Sequence, residues 1–589
     1  MKKLVLIIPV LFLFSCHSDI KKVDISQTLQ KDIFVLEKDL ENFKKLAETN
    51  SSQKLLQDDF LKCRKSFKNI EWAIAYFNSN AHRFINGPAL DELETAENKF
   101  LPPNGFQVIE PLIFPAFDVK NKLELAKEIL VLQSNIKLMK IHLQNVTLSN
   151  DLVFDALKSD IIRLITLGIT GFDSPVAQLS IQEAVYSLEG LQKYILFLEA
   201  NKSHKTEIDA FIKKCEEAKS YCKNNNNFND FDRVTFIKNH LNLLFKDLKS
   251  IKKLCNIASV EKNNPILESA ETIFGANVFD VNAFIPSKEF AYSADKVALG
   301  EKLFYDKQLS LNNDRNCATC HNPELAFTDG LKKNVSIEGQ NLYRNTPTLT
   351  YAGLQNAQFW DLRQIDLEKQ SFDVIANKDE MHGSLDIIIP KLKKDNAYVV
   401  LNKKAFPKAT TIENWHVQNA IASYVRSLNK FNSKFDNYFS GKSNEYSDEE
   451  KLGFNIFAGK GKCASCHFIP LFNGTVPPNY AKSEQEVIGT PETLAGKAIS
   501  VDLGVYNIYQ MPQLKNAFKT PTLRNVAITS PYMHNGVFTT LEQVVNFYNK
   551  GGDGFKYEVD NLTLPFDKLN LSVKEEKALV VFMKTLNDL

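Results

Sequence analysis

Two five-residue runs limit what this chain can be. Cys317-Ala318-Thr319-Cys320-His321 and Cys463-Ala464-Ser465-Cys466-His467 repeat one pattern, Cys-x-x-Cys-His, 146 residues apart. With nine Cys and ten His in 589 residues, chance supplies only about 0.002 such runs. Each thiol pair fits thioether bonds to the vinyl groups of a haem, and the His that follows fits the proximal iron ligand. A thioredoxin-like redox pair shares the Cys spacing but has no use for a second copy. The sequence therefore predicts two covalently bound haem c groups, on Cys317, Cys320 and His321 and on Cys463, Cys466 and His467.

The approach to each motif is also repeated. Leu299-Gly300-Glu301-Lys302-Leu303-Phe304 precedes the first, and Leu452-Gly453-Phe454-Asn455-Ile456-Phe457 the second. Each follows a Ser-led helix start, and Ser447 with Glu450 fits a capping box. This is the signature of a duplicated helical unit. A further box, Ser572 with Glu575, opens a last helix with Ala578, Leu579, Phe582 and Leu586 on one face.

Charge narrows the partners. Lys and Arg number 71 against 70 Asp and Glu, a net charge of +1, which excludes a strongly basic nucleic-acid binder. Aromatic residues make up 11% of the chain, which excludes intrinsic disorder. At the N-terminus, Lys2 and Lys3 precede an apolar run, Leu4 to Phe14, too short to span a bilayer. Leu13-Phe14-Ser15-Cys16 then resembles a bacterial lipobox, with Cys16 as the acylated first residue of the mature protein. The expected product is exported, on the periplasmic side, and tethered by lipid to a bacterial membrane, the outer one for preference.

From about residue 276 to the end, the chain resembles the di-haem bacterial cytochrome c peroxidase and MauG family. The runs that carry the likeness are LGEKLFYDKQLSLNNDRNCATCHNPELAFTDG, RNTPTLTYAG, QFWDLR and TPTLRNVAITSPYMHNGVFTTLEQVV. The resemblance implies a mainly α fold. Its parts are a signal peptide and anchor (1–19), a helical domain (20–275), a first, peroxidatic cytochrome c-like domain (276–440) and a second, electron-transfer one (441–589).

The resemblance also implies roles. His321 is the proximal ligand of the haem that meets peroxide, and Gln370 and Glu380 match the family's distal pair. Most peroxidase members carry a blocking His after the first motif; here none occurs between His321 and Asn345. That departure implies an open first haem, as in the MauG branch, with His382 as the substitute candidate. The second haem's other axial ligand falls on Tyr548, with Met533 and His534 as rivals. Trp360 matches the residue between the haems. Asn345, Thr529 and Pro531 match the ligands of a calcium ion.

Residues 20 to 275 contain no haem motif and read as long amphipathic helices, for example Ser180 to Glu199 with Ser180 and Glu183 as a capping box. Gly105-Phe106-Gln107-Val108-Ile109-Glu110 resembles the G-x-H-x-x-E motif of imelysin-like helical proteins, with Gln107 in place of its His. That substitution removes the motif's best metal ligand, and a docking domain is the preferred reading. Cys63, Cys215, Cys222 and Cys255 are available for disulfides after export. On one helix, however, Cys215 and Cys222 would stand about 10 Å apart along the axis, too far to bridge.

These readings converge on a peroxidase that takes electrons from a small redox protein, a cytochrome c or a cupredoxin, and reduces hydrogen peroxide. The rivals are a MauG-like oxidation of a partner protein's side chain and a non-enzymatic di-haem electron carrier. A simple carrier has no need of Gln370 and Glu380.

Overall fold

Apolar stripes at helical spacing build the front half. In the helix Ile25–Glu48, Leu29, Ile33, Leu36, Leu40, Phe43 and Ala47 are all buried, the i, i+3, i+4 pattern of one face. Asp24 caps its start by accepting from the Ser26 amide at 2.9 Å. That face packs on the helices Gln53–Lys68 and Lys122–Gln144. The computed structural model describes residues 24–588, apart from 50, 95, 96, 98, 199–203, 261–264 and 565–567. The apolar N-terminal run and Cys16 lie outside the described residues. No described helix is long and apolar enough to cross a membrane.

At the centre of the front half lies a buried ionic cluster. Lys68 binds Glu71 at 2.7 Å and Asp173 at 2.6 Å, Arg163 binds Asp173 at 2.7 Å, and Arg64 holds Glu183 at 2.7 Å. The sequence predicted Glu183 as the partner of a Ser180 cap. Instead Leu179 is the N-cap, Ser180 lies inside the helix Ser180–Ile195, and Glu183 turns to Arg64. A cap is worth about 1 kcal/mol, whereas a buried guanidinium left unpaired costs several. Asp160 stands beside this cluster, and burial pushes its pKa up to about 7.

Gln107 and Glu110 lie in the same interior. Gln107 donates to the Asn86 carbonyl at 2.9 Å. Glu110 accepts from the Ala177 amide at 2.9 Å and from the Ser174 hydroxyl, so both residues fasten backbone to backbone. Cys63, Cys215 and Cys222 are free thiols, with Cys215 and Cys222 on one helix, Lys205–Asn224.

The duplication is explicit in the second half. The helix Ala294–Phe304 packs on Asn414–Arg426, and Asp448–Phe457 on Val573–Lys584. Both pairs cross at a glycine. A Cβ on Gly300 would stand 1.9 Å from the Ala420 carbonyl oxygen, and one on Gly453 would stand 2.0 Å from that of Ala578. The Ser447–Glu450 and Ser572–Glu575 capping boxes both form. Ala578, Leu579, Phe582 and Leu586 are buried, as their spacing predicts.

Sheet is sparse among the described residues. β1 (Glu92–Glu94) pairs with β2 (Lys99–Leu101), and β3 (Gln485–Glu486) with β4 (Phe518–Lys519), both antiparallel. The fold is mainly α, as expected.

The apolar core of the front half runs without a break into the residues around the second attachment turn, such as Phe454, Phe472 and Phe582. Phe172 meets Phe468 edge to face at 5.7 Å, and Phe274 meets Phe439 at 5.0 Å. Asn455 donates to Asp232 at 3.0 Å and accepts from the Val234 amide at 3.1 Å.

Candidate haem sites

Each Cys-x-x-Cys-His run forms a short helical turn that ends at its His. Around the first, Asn316 caps the turn Cys317–Cys320, accepting from the Thr319 amide at 3.0 Å. The Nδ1 of His321 lies 3.0 Å from the Phe327 carbonyl oxygen. A carbonyl only accepts, so Nδ1 carries the hydrogen and Nε2 keeps the lone pair. At the second turn, Nδ1 of His467 lies 3.0 Å from the Pro521 carbonyl and 3.2 Å from that of Phe472. Both imidazoles are thus held in the tautomer an iron ligand needs. Burial also lowers both pKa values, His467 to about 4, which keeps the rings neutral. Donor set and tautomer fit a haem at each turn.

Glu380 lies beside the first turn, and Gln370 precedes it on the neighbouring helix. Gln370 is half-buried on the helix Leu367–Ala376, and Glu380 sits in the tight turn that follows it. The Glu380 amide donates to the Asn377 carbonyl at 3.2 Å. Its carboxylate is close enough to Cys320 to raise the pKa of that thiol. Burial pushes the Glu380 pKa up to about 7, and the Arg363 charge only partly offsets it. His382, two residues on, has left-handed backbone (φ 48°), and its amide donates to the Asn377 carbonyl at 2.8 Å.

The second site opens into a cavity of about 260 Å³. It brings together Cys463, Cys466, His467, Tyr548, Trp360, Asn345, Thr529 and Pro531. Cys317, Cys320, His321, Gln370 and Glu380 do not line it. Tyr548 comes from the helix Leu541–Lys550, and burial keeps its phenol protonated well above the usual range. The rival His534 also lines the cavity, but it stacks on Phe518 at 3.6 Å and its Nε2 lies 2.9 Å from the Ser500 hydroxyl. Asn345 donates its amide hydrogen to the Leu331 carbonyl at 2.9 Å, so its Nδ2 is engaged.

Glu486 and Lys519, both lining this cavity, escaped the sequence reading. Glu486 accepts from the Cys466 thiol at 3.4 Å, and burial pushes its pKa up to about 7. Lys519 is lowered to about 8 by burial. In the sequence Glu486 ends a polar run that reads as solvated surface, and only the pairing of β3 with β4 turns it inward. The Lys519 amide donates to the Trp360 carbonyl at 2.8 Å, which ties β4 to the cavity wall.

Comparison with known proteins agrees with this arrangement. The family model described as di-haem cytochrome c peroxidase matches residues 294–444. A cytochrome-c peroxidase of Denitromonas iodatirespirans, IdrP2, is 33% identical over 316 residues, which cover 50% of this chain and 83% of that protein. The chain belongs to the di-haem cytochrome c peroxidase family. Methylamine utilization protein MauG of Methylorubrum extorquens is 32% identical over 292 residues, covering 50% of this chain and 78% of that protein. Among solved structures, a MauG-like protein associated with microbial copper homeostasis shares 28% identity at a TM-score of 0.46, over 52% of this chain and 94% of that one. A di-haem c family needs two attachment turns, and the chain has two Cys-x-x-Cys-His turns, Cys317–His321 and Cys463–His467.

Proposed function

We propose that this chain reduces hydrogen peroxide to water with electrons from a small redox protein, a cytochrome c or a cupredoxin. The observation that carries this reading is Glu380, a carboxylate beside the first attachment turn with a pKa raised to about 7, suited to both taking and giving a proton near neutral pH.

When bound, the two haems supply irons that change oxidation state. The protein's own groups do the rest. His321 would hold the first haem through Nε2, which the Phe327 carbonyl leaves free by taking the Nδ1 hydrogen. Glu380 takes the proton from one peroxide oxygen and returns it to the departing one, while the Gln370 amide orients the peroxide. His467 and Tyr548 both line the second cavity and would hold the second haem, where a Tyr ligand would lower the reduction potential relative to a thioether. Trp360 passes electrons between the sites. Asn345, through its side-chain oxygen, and Thr529 and Pro531, through their carbonyls, offer oxygen donors suited to calcium.

Around this core we propose domains at 20–275, 276–440 and 441–589, with the first an imelysin-like docking domain. Cys16 carries lipid and tethers the protein on the periplasmic side, at the outer membrane. Tyr548 favours a second reading, MauG-like oxidation of a partner protein's side chain. Steady-state peroxide assays with a panel of reduced cytochromes and cupredoxins test the first reading. Turnover with none of them, alongside peroxide-dependent modification of a partner, would favour the second. The double variant Cys317→Ala, Cys320→Ala should retain one haem after acid-acetone extraction; two would sink the assignment.

A further inference from the structure

A line of rings leaves the first haem site on its proximal side. It begins at Phe327, whose carbonyl oxygen takes the Nδ1 hydrogen of His321. The Phe327 ring lies 6.1 Å from that of Phe304. Phe304 then lies 5.0 Å from Tyr424 and 5.3 Å from Tyr305. Burial raises the pKa of the Tyr424 phenol, and the Tyr305 side chain stands close enough to raise it further.

The two tyrosines differ in their surroundings. Tyr424 is 7% exposed and packs in the apolar cluster that also holds Phe327, Phe304, Cys317 and Ala318. Tyr305 is 45% exposed. It is also tied to the attachment turn, because the Asn316 side-chain amide donates to the Tyr305 carbonyl at 2.8 Å while Asn316 caps Cys317–Cys320. A buried, oxidisable phenol next to the attachment turn thus shares the Phe304 ring with a second phenol in water.

We propose that Tyr424 and Tyr305 form a one-electron exit from the first haem site to the surface, and that small phenols in solution give up hydrogen atoms at Tyr305. The proposal rests on the peroxidase reading. Hydrogen peroxide takes two electrons and two protons to become two waters. Where the donor protein has not supplied them, the path is used twice per peroxide, so that two phenols and one peroxide become two phenoxyl radicals and two waters. In each use Tyr424 gives one electron to the oxidised site and releases its phenolic proton. The Tyr424 radical then takes a hydrogen atom, proton and electron together, from the Tyr305 hydroxyl. The radical now stands on Tyr305, at the surface. A phenol that donates a hydrogen atom there restores Tyr305 and leaves as a phenoxyl radical. Phe304 and Phe327 are too hard to oxidise to hold the charge, and act as the apolar filling around the path.

The holoprotein, mixed with peroxide and a nitroso spin trap in the absence of donor protein, tests this by peptide mass spectrometry. The expected result is an adduct on Tyr305 that is suppressed by added hydroquinone. The adduct should also be lost in Tyr305→Phe and in Tyr424→Phe, with peroxide turnover on a reduced donor protein unchanged in both. Peroxide consumption with no adduct on Tyr305, or a Tyr424→Phe protein labelled on Tyr305 like the wild type, would overturn the exit and leave the peroxidase reading intact. Absence of peroxide consumption would overturn that reading and the exit with it.

Discussion

The indole nitrogen of Trp360 donates to the carbonyl oxygen of Asn345 at 3.0 Å. The neighbours of both residues close a second link, because Arg344 binds Asp361 at 2.6 Å and also Asp502 at 2.6 Å. With the Lys519 amide on the Trp360 carbonyl, the ring is fixed at its edge and at its backbone. It forms a wall of the second haem's cavity and is bound to the first residue of the proposed calcium set.

Trp360→Phe keeps a ring but leaves the Asn345 carbonyl without its donor, at a stability cost of about 1–3 kcal/mol. Both haems should remain attached. Electron exchange between them after mixing with peroxide should slow, as read by stopped-flow absorbance; an unchanged rate would remove Trp360 from the path.

Glu380→Gln should slow peroxide turnover by roughly 10²-fold or more, the scale of losing a general acid–base group. In the wild type only the deprotonated carboxylate can take the first proton. With a pKa near 7, the rate should fall as pH drops below neutrality. The Gln variant should show no such fall, and a pH–rate profile of kcat/KM compares the two.

Because no His lies between His321 and Asn345, the ferric protein should give one high-spin and one low-spin haem signal by EPR. It should also react with peroxide without prior reduction. Tyr548→Phe should change the low-spin signal alone, and Tyr548→Met should raise the second haem's potential. Two low-spin haems, with no reaction until an electron is added, would point to His382 as a blocking ligand.

Gly453→Ala places a methyl group 2.0 Å from the Ala578 carbonyl oxygen. The two helices must part, at about 1–3 kcal/mol or more. Thermal unfolding should come earlier, and equally for the matching Gly300→Ala. A melting temperature equal to the wild type's would mean that these crossings are loose.

Asp160→Asn tests the buried cluster. Burial raises the Asp160 pKa to about 7, so the folded state resists ionisation that the unfolded chain allows from about pH 4. Wild-type stability should therefore fall between about pH 4 and 7, by at most roughly 4 kcal/mol. The Asn variant should escape that fall, so its melting temperature should exceed the wild type's at pH 8 and match it near pH 4.

Much of the second half was legible because its signals are local. Cys-x-x-Cys-His, a Ser three residues before a Glu, and a Gly inside an apolar helix run each specify structure within a few residues. Ser180 and Glu183 failed as a cap because the competitor, Arg64, lies 119 residues away. Glu486 was invisible for a similar reason: β3 is two residues long, and its inward face is decided by β4 across the fold. Tyr424 and Tyr305 belong to separate helical segments whose packing, rather than spacing, brings both rings onto Phe304.

The unbroken core between the front half and the residues around the second attachment turn also decides where another protein can approach. Phe468 directly follows the second attachment turn, and Phe172 of the same chain covers it. Gly459, four residues before that turn, faces Arg233 so closely that a Cβ there would stand 2.5 Å from the guanidinium. On that side the second haem already has a partner, supplied in cis, and a donor arriving from solution must reach it by another face.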